Sequence, residues 1–479
     1  MYTAIGLAAP VLQEPLDFDS FLAQTLVREV QIEKQGYNIL RRRTAIILGQ
    51  WISIRVSKQS RPLVYQIFQH LLRKDQPLND EVVRVTAGRQ FKRIADDWEF
   101  SSEDFLPYAA EILTRLMELV EEVELGETKM ALLNTISVIV ERLEHHITPF
   151  ASRIVSLLPP LWEQSGDEHL MKQAILTILT RLIGAMKADS RDFHPLVLPI
   201  IKGAVEPNSD TQLYLLDDAL DLWATIIAQT LPESPNPDLL GLSQYLLHIL
   251  TLGSEAFRKA LEITESYILL SPTTILSDSF RPQLLGVLSS LLGELKPDAS
   301  GSVTKVVELL IRAADGLGGE DALKVCCGDM ISSGFFPKLL DGLRGAWSAH
   351  QTTGPNRRTD GVDGIIETDY FSILARIGLV SPQLLVSVLA SVAQEDEAQL
   401  MKWLLVEWFS HLENVAEVSR KKLMTLLFTR LLECNQPWIL VKLQDLMNVW
   451  TDLVIELTDG NDDKTVEYVC PSFYNSIDN

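Results

Sequence analysis

The chain has 479 residues, a net charge of −22, 47% hydrophobic residues and 22% charged residues. These fractions exclude bulk disorder, and the negative field excludes nucleic-acid phosphate as a favoured ligand while favouring basic partners. Four cysteines, Cys326, Cys327, Cys434 and Cys470, are too few for a disulfide framework in a chain of this length and point to a reducing compartment.

The first basic residue is Arg28, preceded by Glu14, Asp17 and Asp19, which argues against a secretory or mitochondrial leader. The start, Met1 to Pro10, is apolar and lacks a capping residue, so the chain is expected to begin inside a larger architecture. The longest uncharged stretch, Ile377 to Gln394, is divided by Ser381-Pro382-Gln383 and predicts two helices meeting at a turn. No membrane insertion is expected.

Apolar segments with i, i+3, i+4, i+7 spacing recur along the chain, and almost none alternate as strands. Six carry a small residue at one register: Ala45, Ala87, Ala131, Ala174, Ala219 and Ala260, spaced by 42, 44, 43, 45 and 41 residues. A second amphipathic helix is predicted between successive members, as at Arg61–Leu72, Glu103–Val123, Thr148–Trp162, Phe193–Val205 and Pro237–Leu252. A helix pair at this period predicts an all-α HEAT-repeat α-solenoid, a superhelix of stacked antiparallel helix pairs. The short side chain at a fixed register lets neighbouring helices approach closely.

The register loosens after Val306, but helices continue to be predicted at Val303–Ala314, Met330–Ser348, Tyr370–Leu379, Gln383–Val392, Gln399–Leu412, Ser419–Cys434 and Trp438–Leu457. His350 to Gly364 is rich in Gly, Pro, Asn and Asp and reads as an exposed loop. The array is therefore expected to be one solenoid over residues 1–457, best marked over about 39–270, followed by a polar, poorly ordered tail at 458–479.

The chemistry inventory is sparse. There is no phosphate-binding loop of P-loop type, and Gly316-Leu-Gly-Gly319 falls short of a dinucleotide fingerprint because Asp321 occupies its last position. His145-His146 point to different helix faces, and Cys326-Cys327 read as small hydrophobes in an apolar helix. No catalytic residue, cofactor or metal is expected, and the protein is read as a binding protein rather than an enzyme.

Charge distribution is more informative. Residues 41–93 hold twelve Lys or Arg against three acids, and residues 94–125 hold ten acids against Arg115 alone. Glu111, Arg115, Glu118 and Glu122 fall on one face of a predicted second helix. One reading is a solvated surface in which the two blocks attract each other along the stack. The other makes the acidic stripe part of a concave groove for a basic protein ligand. The candidate partner-binding residues are then Glu111, Glu118, Glu121 and Glu122, with Arg41, Arg42 and Arg43 as a basic counterpart.

The pattern R-R-R-x-A-x-x-[LI]-G-x-W, carried by Arg41, Arg42, Arg43, Ala45, Leu48, Gly49 and Trp51, is the most specific signature in the chain. With Arg61-Pro62-Leu63-Val64-Tyr65, Phe18-Asp19-Ser20-Phe21 and Gly6-Leu7-Ala8-Ala9, it resembles the importin-11-type nuclear transport receptors of the karyopherin-β family. The resemblance would cover most of this chain, as the carboxy-terminal half or so of such a receptor. It implies protein cargo, expected to be basic from the charge of the chain, together with Phe-Gly nucleoporins and the GTPase Ran as partners. It also implies residence in cytoplasm and nucleus, including the nuclear envelope and pore. The family's Ran-binding signature lies mainly in amino-terminal repeats, which are not recognised here, so a fragment or truncated gene product is expected. Exposed grooves between adjacent first helices are expected to hold the Phe side chains of Phe-Gly repeats. A generic HEAT scaffold subunit of a multiprotein complex is the alternative.

Overall fold

An amphipathic helix has to cover its apolar stripe, and in a repeat protein the cover is the neighbouring repeat. The computed structural model describes residues 1–459 except 13, 15, 253–255, 293–296 and 352–361. Of the expected tail at 458–479, Thr458 and Asp459 belong to the last helix and the rest lies outside the described residues, as does the centre of the expected loop at 350–364. Every regular element among the described residues is helical. The chain forms two compact units, Met1–Tyr245 and Leu246–Asn479.

In the first unit, helix α1 (Tyr2–Leu7) lies against α2 (Tyr37–Arg55). The helices α2, α4 (Glu81–Ala95), α6 (Gly126–Leu143), α8 (His169–Met186) and α10 (Gln212–Ala228) stack one on the next as first helices. The second helices are α3 (Arg61–Leu72), α5 (Ser102–Glu122), α7 (Thr148–Gln164) and α9 (His194–Val205). Asp80 and Ser101 start α4 and α5 by accepting from the amides of Val83 and Asp104, at 2.9 and 3.2 Å. These side chains satisfy amides that a helix start leaves unpaired.

The register alanines fall on the first helices. Ala45, Ala87, Ala174, Ala219 and Ala260 are buried, whereas Ala131 is half-buried. Close approach in that step is carried by Gly88 and Thr135 instead. A Cβ on Gly88 would sit 2.4 Å from Leu132 Cδ2, and the Thr135 hydroxyl donates to the Gly88 carbonyl at 3.1 Å. The signature residue Trp51 is fully buried. It stacks on Phe18 with ring centroids 4.5 Å apart, and its Nε1 donates to the Ile5 carbonyl at 3.2 Å. The signature thus describes packing between α2 and the segments that precede it.

The second unit repeats the scheme. Its first helices are α12 (Ala256–Leu270), α14 (Pro297–Ser332), α16 (Gly364–Val380), α19 (Val418–Leu431) and α20 (Leu443–Asp459). Beside them lie α11 (Leu246–Thr251), α13 (Arg281–Leu291), α15 (Phe335–Gln351), α17 (Pro382–Ala393) and α18 (Glu397–Ser410). The expected single helix at Met330–Ser348 is in fact broken: α14 ends at Ser332, and Gly334, at φ +77°, turns the chain into α15. That φ is one glycine adopts without the steric cost of a Cβ. Gly318 and Gly319 leave helical geometry inside α14 and kink it. The expected helix Pro237–Leu252 is likewise divided, into Pro237–Gly241, a 3-10 turn at Leu242–Tyr245, and α11. The expected boundary at Ser381 is present, where its hydroxyl accepts from the Leu384 amide to cap α17.

Candidate partner-binding surface

Surface function in a helical repeat depends on which side chains remain after the repeats have joined. The acidic stripe of α5 is largely engaged in that joining. Glu111 accepts from Gln69 of α3 at 2.5 Å. Glu118 pairs with Arg115 at 3.0 Å and with Arg153 of α7 at 3.7 Å. Glu122 is held by Lys74 at 2.9 Å and Arg84 at 2.7 Å. Partial burial pushes the Glu122 carboxyl upward, but the hydrogen bonds from Lys74 and Arg84 outweigh it and hold the group below the usual carboxylate range. Glu121 is exposed.

The basic triplet divides in the same way. Arg41 is buried and its Nη1 donates to Asn79 at 2.8 Å. Burial lowers its guanidinium from the ordinary value. A side chain turned inward to Asn79 has no face left for a ligand, which removes Arg41 from the partner-facing set. Arg42 is exposed and Arg43 half-buried.

The basic and acidic blocks meet directly. Besides the Glu122 pairs, Arg61 of α3 reaches Asp97 at 2.6 Å and Glu99 at 3.1 Å, with Arg61 and Asp97 both buried. The two blocks therefore offset each other across one repeat step, and much of the opposed charge read in the sequence is structural.

The second unit holds a cleft of about 590 Å³ between α14, α16 and α19, lined in part by Lys305, Glu308, Arg312, Asp369, Arg376 and Arg420. Arg376 pairs with Glu308 at 3.2 Å and Arg420 with Asp369 at 2.5 Å. Charges of both signs share the cleft, so it presents no field of one sign.

A feature that sequence reasoning missed is a row of exposed apolar residues at the starts of the first helices. Ile39, Val82, Leu125, Leu170 and Leu213 are 64%, 54%, 73%, 67% and 81% exposed. They are spaced by 43, 43, 45 and 43 residues, four to six positions before the register alanines. Their spacing was the signal that could have found them. Between the last two steps the His169 and Tyr214 rings stack with centroids 4.0 Å apart. A single exposed leucine is ordinary, but one per repeat at the start of each first helix is a patterned surface.

Among the described residues no helix is long and apolar enough to cross a membrane. A family described as importin-11-like, with TPR repeats, matches residues 173–475. Importin-11 of Mus musculus is 31% identical over 455 residues, covering 94% of this chain and 43% of that protein. The importin beta-like protein kap113 of Schizosaccharomyces pombe is 27% identical, covering 98% of this chain and 45% of its own length. This chain thus spans less than half the length of the curated relatives it matches. The solved structure of Lph2, described as a bidirectional nuclear transport receptor of S. cerevisiae, superposes with a TM-score of 0.83 over 95% of this chain and 47% of that one, at 22% identity. That likeness establishes a shared helical-repeat fold.

Proposed function

The chain belongs to the importin-11-like family, and from that premise we propose that it acts as part of a nuclear transport receptor that binds protein cargo on its HEAT repeats for import into the nucleus. The family match over more than half of the chain is the observation that carries this reading. The receptor would be found in cytoplasm, nucleus and nuclear pore, and its role would be binding rather than catalysis.

The surface supplies a physical basis for two partners. Net charge of −22 steers basic cargo, with the exposed Glu121 as the position of the acidic stripe best placed to meet it. The periodic row from Ile39 to Leu213 offers one small apolar seat per repeat. Several weak seats on one molecule give avidity while each Phe-Gly contact exchanges quickly, as passage through a pore requires. Control by GTP-loaded Ran is assigned to the whole receptor, through amino-terminal repeats of the family.

The test is binding to immobilised Phe-Gly repeats and GTP-loaded Ran, using this chain and an amino-terminally extended form. This chain is expected to retain on Phe-Gly repeats, and only the extended form on Ran. Leu170→Ser with Leu213→Ser should weaken Phe-Gly retention several-fold while leaving the melting temperature nearly unchanged, since exposed positions rarely affect stability by more than about 0.5 kcal/mol. If neither form binds either ligand, a HEAT scaffold subunit replaces the transport reading.

A further inference from the structure

Two carboxylates buried side by side need a cation or shared protons. The second unit contains such a pair. Glu367, in the first turn of α16, and Glu407, on α18, are both buried, at 0% and 2% exposure. Neither Glu367 carboxylate oxygen has a hydrogen-bond partner, although its side chain is 1% exposed. Burial first, and then the charge of Glu407, push the Glu367 carboxyl up to about 8.

Two imidazoles close the cluster. His350, at the end of α15, places Nδ1 2.5 Å from Glu407 Oε1. His411, just after α18, places Nε2 3.8 Å from Glu367 Oε1 and Nδ1 3.8 Å from Glu407 Oε1. The two rings stack with centroids 4.9 Å apart. One nitrogen or oxygen donor from each of the four residues lies within 4.8 Å of every other.

We propose that His350, Glu367, Glu407 and His411 form a binding site for one zinc ion. Nitrogen and oxygen donors at about 2.0–2.1 Å in a tetrahedron suit Zn²⁺, and such donors stand roughly 3.3 Å apart on one ion. Reaching that spacing takes a separation of His350 from Glu407 by about 0.8 Å and a contraction of the widest gap by about 1.5 Å. Charge supports a divalent ion: two carboxylates, two neutral imidazoles and Zn²⁺ sum to zero in a buried place. The orientation of His411 supports it independently. Its Nδ1 lies 2.9 Å from the Glu407 backbone carbonyl, so the ring donates there and leaves the Nε2 lone pair facing Glu367. A metal-ligating imidazole is commonly fixed by such a bond from its other nitrogen. Bound zinc would tie the end of α15, the start of α16 and the end of α18 together inside the second unit.

The experiment uses the untagged full chain, stripped with a chelator and titrated with Zn²⁺ alone, with bound metal measured by mass spectrometry and affinity by calorimetry. One equivalent per chain is expected, with a higher melting temperature on zinc addition. Affinity should fall at least tenfold in both His411→Ala and Glu367→Gln. His350→Ala, at a half-exposed side chain, guards against misfolding as the cause and should also weaken binding. Co²⁺ substitution should give tetrahedral visible absorption that His411→Ala abolishes. Uptake well below one equivalent by the wild-type chain, or undiminished affinity in the folded His350→Ala and His411→Ala variants, would overturn the site.

Discussion

Residues 1–245 and residues 246–459 use the same helix pair but join successive pairs over different distances. In the first unit the polar ties run from Arg61 to Asp97, Arg84 to Glu122 and Lys74 to Glu122, over 36, 38 and 48 residues. In the second they run from Arg281 to Asp329, Lys338 to Ser289, and Arg344 to Glu395, over 48, 49 and 51 residues. Other ties of the second unit range from 35 residues for Lys421 and Glu456 to 68 for Arg376 and Glu308, so its spacing is more variable, and Gly318, Gly319 and Gly334 interrupt its helices. Burial raises acids in both units, Asp218 among them in the first. Glu122 of the first unit is held low by two cations, whereas burial raises Glu265 and Glu308 of the second. A near-constant spacing of first helices gives a register that shows in the sequence; a variable one hides it.

Substitutions at the joints sharpen this contrast. The largest effect is expected from Asp97→Ala, which leaves the buried Arg61 guanidinium with only Glu99. A cost of about 3–5 kcal/mol is expected, read by denaturant unfolding with proteolytic cleavage appearing first within residues 1–245. The matching change in the second unit is Gly378→Val. A Cβ there would lie 2.3 Å from Leu427 Cδ1 and 2.7 Å from Leu385 Cδ2, so overpacking of α16 against α19 should cost about 1–3 kcal/mol. If both variants opened the same unit first, the separation of the two would be wrong.

Smaller effects distinguish joint from surface among the acids. Glu122→Lys breaks the pairs with Lys74 and Arg84 and should lower stability by about 1 kcal/mol. Glu121→Lys should leave the melting temperature unchanged and weaken basic-cargo binding a few-fold, with the loss shrinking as salt rises. The smallest expected effect is in pH dependence. Glu308 has a folded-state carboxyl raised above its ordinary 4.5. The folded state therefore holds that proton more tightly, and its contribution is present below pH 4.5 and lost as pH rises through the raised value. Glu308→Gln should flatten that decline in the second unit's melting temperature, and an unchanged slope would count against it.

The legibility of the fold follows from the same physics. The alanine register was readable because a close helix approach has few side-chain solutions and recurred at nearly constant length. Trp51 was readable as a signature, but its role as the cover for Phe18 needed the structure. The acidic stripe was correctly placed on one helix, yet sequence alone did not show that Glu111 and Glu122 are occupied by Gln69, Lys74 and Arg84. The cluster at His350, Glu367, Glu407 and His411 had little local signal: only Glu407 and His411, four residues apart, are neighbours in sequence, and its members come from three helix ends across 61 residues of chain. The apolar row from Ile39 to Leu213 was hidden differently, by the ordinary appearance of each member taken singly.

The reach of the polar ties also bears on how the protein is made. The cross-repeat ties join neighbouring repeats, over 36 residues for Arg61 and Asp97 and up to 68 for Arg376 and Glu308. No such tie waits for the far end of the chain. A ribosome releasing the polypeptide from its amino end therefore supplies each helix pair with its cover as soon as the next pair emerges. Growth in this direction leaves only the newest repeat with an uncovered apolar face, which limits the surface open to aggregation while synthesis continues.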